Sequence, residues 1–282
     1  MPALLAHTLS IEGPDAAAFA HAQFSSDIQG LPVGHWQWSA WLDPRGRVRA
    51  LLNVARPAPE RFLLLLRGGR ADDLARALQP YTMRRRVTLT THPVRTLDDA
   101  PARPMQAIDD DGTGPCFGMG TYAMRLGGTP DAGAAVQAWR REAIGHGHPW
   151  LPDDALDQIL APALDLQRLG GISLDKGCFP GQEIVARMHY RGGGGKQHLR
   201  HLRTDTDIAP GTALTRAQQT VATVLDSVPG DAGNHDVLAV VRDTLPHDET
   251  PVEVGGSTIF VRTINDLTNN HGNSEASRAT KP

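Results

Sequence analysis

Ser173-Leu174-Asp175-Lys176-Gly177-Cys178-Phe179-Pro180-Gly181-Gln182-Glu183-Ile184-Val185-Ala186-Arg187-Met188-His189-Tyr190-Arg191 is the stretch whose residue types could do chemistry. It holds Cys178, one of only two cysteines; the other is Cys116. Phe179-Pro180-Gly181-Gln182 has proline and glycine at the central positions that a type II turn prefers. Gly177 lets the backbone pass close to a neighbour or a ligand. A helix is predicted from Gln182, with Ile184, Val185 and Met188 on one face. A thiol just ahead of a helix N-terminus, with Lys176 two residues away, sits where positive charge favours the thiolate, the form that acts as nucleophile or metal ligand. The bland alternative is a small buried hydrophobe, the commoner fate of a lone cysteine and the expectation for Cys116.

Other polar residues allow two readings each. Gln182 and Glu183 either face a ligand or cap the helix. Arg187 and Arg191, four apart, share a face that is either plain surface or an anion site. Trp139 is either core or a flat face for a flat heterocycle. His189 stands alone, and His146 and His148 fall in a glycine-rich turn; neither spacing predicts a metal site. Gly192–Gly195 reads as a flexible joint and lacks the Gly-Lys-Ser/Thr ending of a phosphate loop. Lysine is scarce: only Lys176, Lys196 and Lys281 against a background of arginine. A lysine beside Cys178 therefore stands out.

These residues need a scaffold. Residues 3–11 alternate like a strand, and Ala16 to Phe24 is a helix candidate opened by Pro14-Asp15. Trp36, Trp38 and Trp41 lie on a strand over 35–42, which the type I signal Asp43-Pro44-Arg45-Gly46 turns into a partner from Val48 to Ala55. Strands over 61–67 and 86–91 flank a helix over 71–78. Residues 98–104 look like a linker. A strand over 121–126 and a helix over 131–144, capped by Gly145, follow. Residues 151–169 read as partly helical. Beyond the glycine run, strand-like pieces at 198–203, 220–228, 236–242 and 257–262 predict a small β-barrel. The expected layout is an α+β body over 1–195, divisible near residue 97, a barrel over 196–264, and a disordered polar tail over 265–282.

The chain has 282 residues, 40% of them hydrophobic, and a formal net charge of −3. No global field draws it to nucleic acid, so no direct nucleic-acid binding is expected. No apolar run approaches the roughly 20 residues that span a bilayer, and the N-terminus lacks a signal-peptide pattern. Two cysteines make no disulfide framework, which suits a reducing cytoplasm.

Lys176-Gly177-Cys178-Phe179-Pro180-Gly181-Gln182-Glu183-Ile184-Val185-Ala186-Arg187, preceded by Leu169-Gly170-Gly171-Ile172-Ser173, closely resembles the signature of the YgfZ family, folate-binding proteins related to the glycine cleavage T-protein, an aminomethyltransferase. Ile11-Glu12-Gly13-Pro14-Asp15 with Phe19 and Ser26-Asp27 resembles the family's opening. Leu42-Asp43-Pro44-Arg45-Gly46-Arg47 resembles its hairpin, and Leu78-Gln79-Pro80-Tyr81 with Arg84 and Val87 its next helix–strand junction. Trp139 with Ile144, Gly147 and Pro149 resembles a further stretch. The resemblance spans about residues 5–265.

It implies a T-protein-like α+β body around a central cavity with a C-terminal β-barrel. It also implies a bound tetrahydrofolate or a one-carbon derivative, and a role in assembling or repairing iron–sulfur enzymes, tRNA-modifying ones included. Trp139 matches a folate-contacting tryptophan; Lys176, Gly177 and Cys178 match the functional motif, with Gln182, Glu183 and Arg187 beside it. Arg84, Arg85 and Arg86 are candidates for the folate's glutamate. Two departures stand out. Leu5-Ala6-His7 has no tryptophan where the family has a second one. Val48-Arg49-Ala50-Leu51-Leu52-Asn53 has no carboxylate where the T-protein has one, so proton transfer at the folate amine loses its positioned group. An accessory protein, rather than a one-carbon transferase, is the reading that results.

Overall fold

The computed structural model describes residues 5–127, 134–190, 196–245, 251–262 and 264. The first half alternates strand and helix: β1 Leu5–Glu12, α1 Ala16–Gln23, β2 His35–Leu42, β3 Val48–Ala58, β4 Arg61–Gly68, α2 Ala71–Leu78, β5 Thr88–Thr91, β6 Arg95–Ala100, β7 Ile108–Asp110, β8 Pro115–Gly118 and β9 Ala123–Leu126. Helices α3 Ala134–Gly145 and α4 Gln182–Tyr190 follow. The last strands are β10 Gln197–Thr204, β11 Ala213–Arg216, β12 Gln219–Pro229, β13 His235–Arg242, β14 Val252–Val254 and β15 Ser257–Arg262. The architecture is α+β, with every named strand pair antiparallel.

One sheet runs β2-β3-β4-β1-β6-β9-β8-β7, with β5 also on β1. The other runs β11-β12-β13-β10-β15-β14, and its edge strands β11 and β14 come into contact, so it curls into a nearly closed barrel. Side-chain alternation explains how the two are joined. Val237, Ala239 and Val241 of β13 fill the barrel's own core. Leu238 and Val240, on the opposite face of that strand, join a larger cluster with Trp36, Trp38, Leu63, Leu65 and Phe117 of the first sheet. The other face of the first sheet packs Leu9, Ile11, Leu52, Leu64 and Leu66 under Phe19 of α1 and Leu74 and Leu78 of α2. Each such buried side chain contributes about 1.5–3 kcal/mol. Arg140 of α3 and Asp226 of β12 add a partly buried ion pair across the junction.

Three sequence expectations need correction. Residues 98–100 are strand, not linker: β6 runs through them, burying Leu97 and Ala100 and setting Asp98 opposite Arg125 of β9. Opposite charges across a ladder favour pairing. The cap of α3 is Gly147, not Gly145. Gly147 has φ +64°, its N–H donates to the Ile144 carbonyl, and the His148 N–H donates to that of Ala143. This is the Schellman arrangement. Residues 151–169 contain only two short 3₁₀ turns, Asp153–Ala155 and Ala161–Leu164. The start of the predicted 131–144 helix, Arg191, the Gly192–Gly195 joint and the 265–282 tail lie outside the described residues.

Candidate functional site: a mounted thiol beside a cationic groove

The Gln182 N–H donates to the Phe179 carbonyl, and Gly181 has φ +80°, the type II turn its residues predict. The glycine is required twice over. A Cβ there would lie 2.5 Å from the Asp43 carbonyl oxygen, so the turn rests directly on the β2–β3 hairpin. That hairpin is itself tied: Asp43 Oδ1 accepts from the N–H groups of Arg45 and Arg47 at 2.9 and 2.8 Å. A Cβ on Gly46 would come 3.3 Å from Ile184 of α4. Two motifs more than a hundred residues apart thus form one seat. Gly181→Ala is expected to cost at least about 1–2 kcal/mol for the left-handed backbone alone, more with the clash. It should also speed modification of Cys178 by a thiol reagent. A thermal melt and an alkylation time course measure both.

The other side of the thiol segment is tied to α1. Ser25 Oγ donates to the Gly171 carbonyl at 2.6 Å, and the Ser173 N–H donates to the Ser25 carbonyl at 2.9 Å. Lys176 Nζ donates to the carbonyls of His21, Phe24 and Ser26, where α1 ends. A cation there complements the helix dipole and satisfies orphan carbonyls. Burial lowers the Lys176 pKa to about 8. Its ammonium also lies 5.0 Å over the buried Phe179 ring. Between these anchors Cys178 is exposed, whereas Cys116 is buried. Gly177 packs against nothing within 4 Å of where a Cβ would be, so the predicted close approach to a neighbour is absent and the surface beside the thiol stays open. Glu183 is exposed in the first turn of α4, where a carboxylate suits the dipole. Gln182 is half-buried.

Ile184, Arg187 and Met188 line a groove of about 660 Å³ with Arg45, Arg47, Gln158, Leu160, Ala163, Lys196, Gln197 and Arg242. Five cations and no carboxylate line it. None of the five forms an ion pair with a described residue; Arg47 donates to the Asp157 carbonyl at 3.1 Å. Of these residues only Arg187 was expected at a site. Arg45 and Arg47 were visible only as hairpin residues, and Lys196 carried the lysine-scarcity signal. Arg242 had no signal at all. Arg84, Arg85 and Arg86 are exposed near β5 and line no part of the groove, and Arg86 pairs with Asp15.

Trp139 is apart from this surface. It is buried and stacked on Tyr122, ring centroids 6.0 Å apart and planes 13° from parallel. Its Nε1 is buried with no acceptor. Tyr122 belongs to a polar centre that sequence reading missed. Arg67 is buried between the faces of Trp38 and Trp150, 4.7 and 4.8 Å from their centroids. Its Nε donates to the Pro149 carbonyl at 3.0 Å and Nη2 to the His148 carbonyl at 3.4 Å. Burial holds the Tyr122 phenol protonated, and its oxygen lies 2.7 Å from His148 Nδ1. Burial, helped by the Arg67 charge, pushes the His148 pKa well below the ordinary histidine value. Among the described residues no group of three or more His, Cys, Asp or Glu could hold a metal, and no helix is long and apolar enough to cross a membrane.

The fold is that of a T-protein. The chain superposes on the glycine cleavage system aminomethyltransferase T from Bartonella henselae with a TM-score of 0.70, covering 93% of this chain and 86% of that one at 15% identity. In sequence the chain is similar to the YgfZ proteins, the resemblance read from the Cys178 motif. It is 25% identical over 280 residues to the tRNA-modifying protein YgfZ of Edwardsiella ictaluri, covering 85% of this chain and 83% of the relative. It is 24% identical over 213 residues to the protein of that name from Shigella boydii serotype 4, covering 65% of each. No family model matches the chain.

Proposed function

We propose that this protein binds a reduced folate and serves in the cytoplasm as an accessory factor for assembly or repair of iron–sulfur enzymes, tRNA-modifying ones among them. The observation that carries the reading is an exposed thiol mounted on the turn that leads into α4, the helix whose Ile184, Arg187 and Met188 line a groove of cations. The name of the relatives and the T-protein fold support it.

The residues present suit the anionic end of a folate. Arg47 and Arg187 would take glutamyl carboxylates through paired N–H bonds, the geometry in which a guanidinium binds best. Leu160, Ala163, Ile184 and Met188 would give apolar cover to the benzoyl ring. Trp139, the folate contact that the resemblance implies, is buried against Tyr122 and outside the groove, so the groove residues and not its ring face would hold this end of the ligand. Gln182 and Glu183, in the first turn of α4, would complete the rim. When bound, a reduced folate supplies nitrogen atoms that carry one-carbon groups.

Lys176 acts here as a positioning residue, because its ammonium is committed to the end of α1. Gly177 leaves the approach to Cys178 open. One thiol cannot complete the usual four ligands of a cluster, so Cys178 meets a cluster, a sulfur species or a partner's thiol transiently. The stretch Val48 to Asn53 contains no carboxylate to shuttle a proton, which argues against aminomethyl transfer.

Cys178→Ala tests the reading. In a strain lacking the protein, the variant is expected to leave iron–sulfur enzyme activity at the level of the deletion, with its thermal midpoint unchanged because the side chain is exposed. Full rescue would remove the thiol from the mechanism. In parallel, tetrahydrofolate should quench tryptophan fluorescence, and Trp139→Phe should change that quenching.

A further inference from the structure

We propose that the outer face of the barrel binds a nucleotide, its base stacked on Phe260 and its phosphate held between Arg203 and Arg262. The register builds the site. Arg203 of β10 stands opposite Phe260 of β15, and His201 opposite Arg262. Alternation sends Leu202, Ile259 and Val261 into the barrel core. Arg203, Phe260 and Arg262 therefore share the outer face, with one guanidinium across the ladder from the ring and the other next to it along the strand. With Asn234, which follows the turn at Asp231–Gly233, they line a pocket of about 390 Å³ with no carboxylate in its wall. That volume suits a small ligand. The pocket lies at the far end of β10 from Gln197 of the cationic groove, about 20 Å along the strand, and does not rest on the folate reading.

The surrounding charges decide what the pocket takes. Asp236 is committed to His201 at 2.8 Å and to Arg141 at 3.6 Å, and Asp231 to Arg141 at 3.2 Å. Asp205 accepts from the Thr206 hydroxyl and the Thr258 N–H at 3.0 and 3.2 Å. Arg203 forms no ion pair among the described residues; its Nη2 donates to the Asp231 carbonyl at 3.4 Å. A guanidinium without a carboxylate, beside an aromatic ring, suits an anion that itself carries a ring. The Asn234 amide nitrogen donates to the carbonyls of Asp231 and Ala232 at 3.2 and 3.4 Å, which leaves its oxygen to accept from an amino group on a base edge. Arginines around an aromatic platform are the combination that holds the bases and phosphates of single-stranded nucleic acid. The formal charge of −3 speaks only against a field of the whole molecule, and one pocket needs none. The nucleotide comes either free or as one unit of a single strand, and the probes below separate the two.

The test uses the full chain and three probes: adenosine, adenosine 5′-monophosphate, and an oligoadenylate of about ten nucleotides, within the span of single-strand sites. The monophosphate is expected to bind about 10-fold tighter than adenosine, because its phosphate meets charged donors, and to lose that advantage with added salt. A single-strand source predicts the oligomer at least about 10-fold tighter than the monophosphate; a free-nucleotide source predicts no such gain. Phe260→Leu should weaken both by about 10-fold through lost stacking, and Phe260→Trp should keep them. Arg203→Gln should abolish the advantage of the monophosphate over adenosine. Arg203 lies outside the barrel core, and an unchanged thermal midpoint verifies the fold. If Phe260→Leu does not fold, Phe260→Trp and Arg203→Gln decide. No binding of monophosphate or oligomer at millimolar concentration overturns the proposal, as does equal affinity for adenosine and its monophosphate. Binding that survives both Phe260→Leu and Arg203→Gln overturns it too. Tetrahydrofolate binding that is lost in Arg203→Gln would assign the pocket to a pteridine and overturn the proposal, leaving the folate reading intact.

Discussion

Arg67→Ala is expected to destabilise the protein by about 4 kcal/mol, measured by urea denaturation followed through tryptophan fluorescence and far-UV circular dichroism. Three losses add up. The truncation opens a cavity between Trp38 and Trp150, whose faces the guanidinium fills. It removes donors from the Pro149 and His148 carbonyls inside the core. It also removes two cation–π contacts, each about 0.5–2 kcal/mol when desolvated. Against this, burying a guanidinium without a contact ion pair is costly: burial lowers its pKa, and the charge of Asp226 opposes that only in part. Arg67→Met separates the terms: it refills most of the volume and relieves the desolvation, yet leaves the carbonyls unpaired. It should fall between wild type and alanine. Arg67→Lys should rescue little, since an ammonium reproduces neither the planar fork nor the stacking. A loss under about 1 kcal/mol in Arg67→Ala would mean that the carbonyls find water and the cavity collapses.

Why Arg67 escapes sequence reading is a matter of register. It follows Phe62 to Leu66 and precedes Gly68-Gly69-Arg70, so it reads as the charged end of an apolar strand. In the sheet, Leu52 pairs with Leu66 and Leu51 with Gly68, leaving Arg67 as the extra residue of a β-bulge. Alternation keeps it on the face of Leu63 and Leu65, the face that meets Trp38. Local pattern carries the longer strands, the Pro180-Gly181 turn and the Asp43 hairpin, because each depends on neighbours in sequence, whereas β6 read as linker and the short β7, β8, β11 and β14 gave no signal. The Gly147 cap was missed because two glycines compete for one role, and only the hydrogen bonds to Ile144 and Ala143 choose between them. The groove was missed for a stronger reason: its cations, Arg45, Arg47, Arg187, Lys196 and Arg242, come from stretches that only tertiary packing brings together. What was legible at the site was the continuous run around Cys178, where spacing alone specifies the turn.

The same centre makes stability fall on mild acidification. His148 is buried, and its pKa is held well below the ordinary value by desolvation first, then by the charge of Arg67 and by His146 and Arg168 nearby. The unfolded chain protonates this ring near pH 6.5, whereas the folded chain does not. Between the depressed folded value and about 6.5 the unfolded state therefore binds more protons, and stability rises with pH. As pH falls through that window the loss is about 1.4 kcal/mol per pH unit for this one group. His21, also lowered by burial, adds in the same direction. The carboxylates whose pKa values are lowered by hydrogen bonds, Asp15, Asp111, Asp205 and Asp236, contribute mainly at more acid pH, below their unfolded values. Unfolding measured at about pH 7, 6 and 5 should thus isolate the histidines. His148→Phe keeps a ring against Trp38 and Tyr122 while removing the proton site. It should be less stable than wild type at pH 7, because the Tyr122 hydroxyl loses its 2.7 Å partner, yet show a shallower acid slope by about one proton. An unchanged slope in that variant would move the acid sensitivity to other groups and mean that His148 takes up its proton as readily in the folded chain as in the unfolded one.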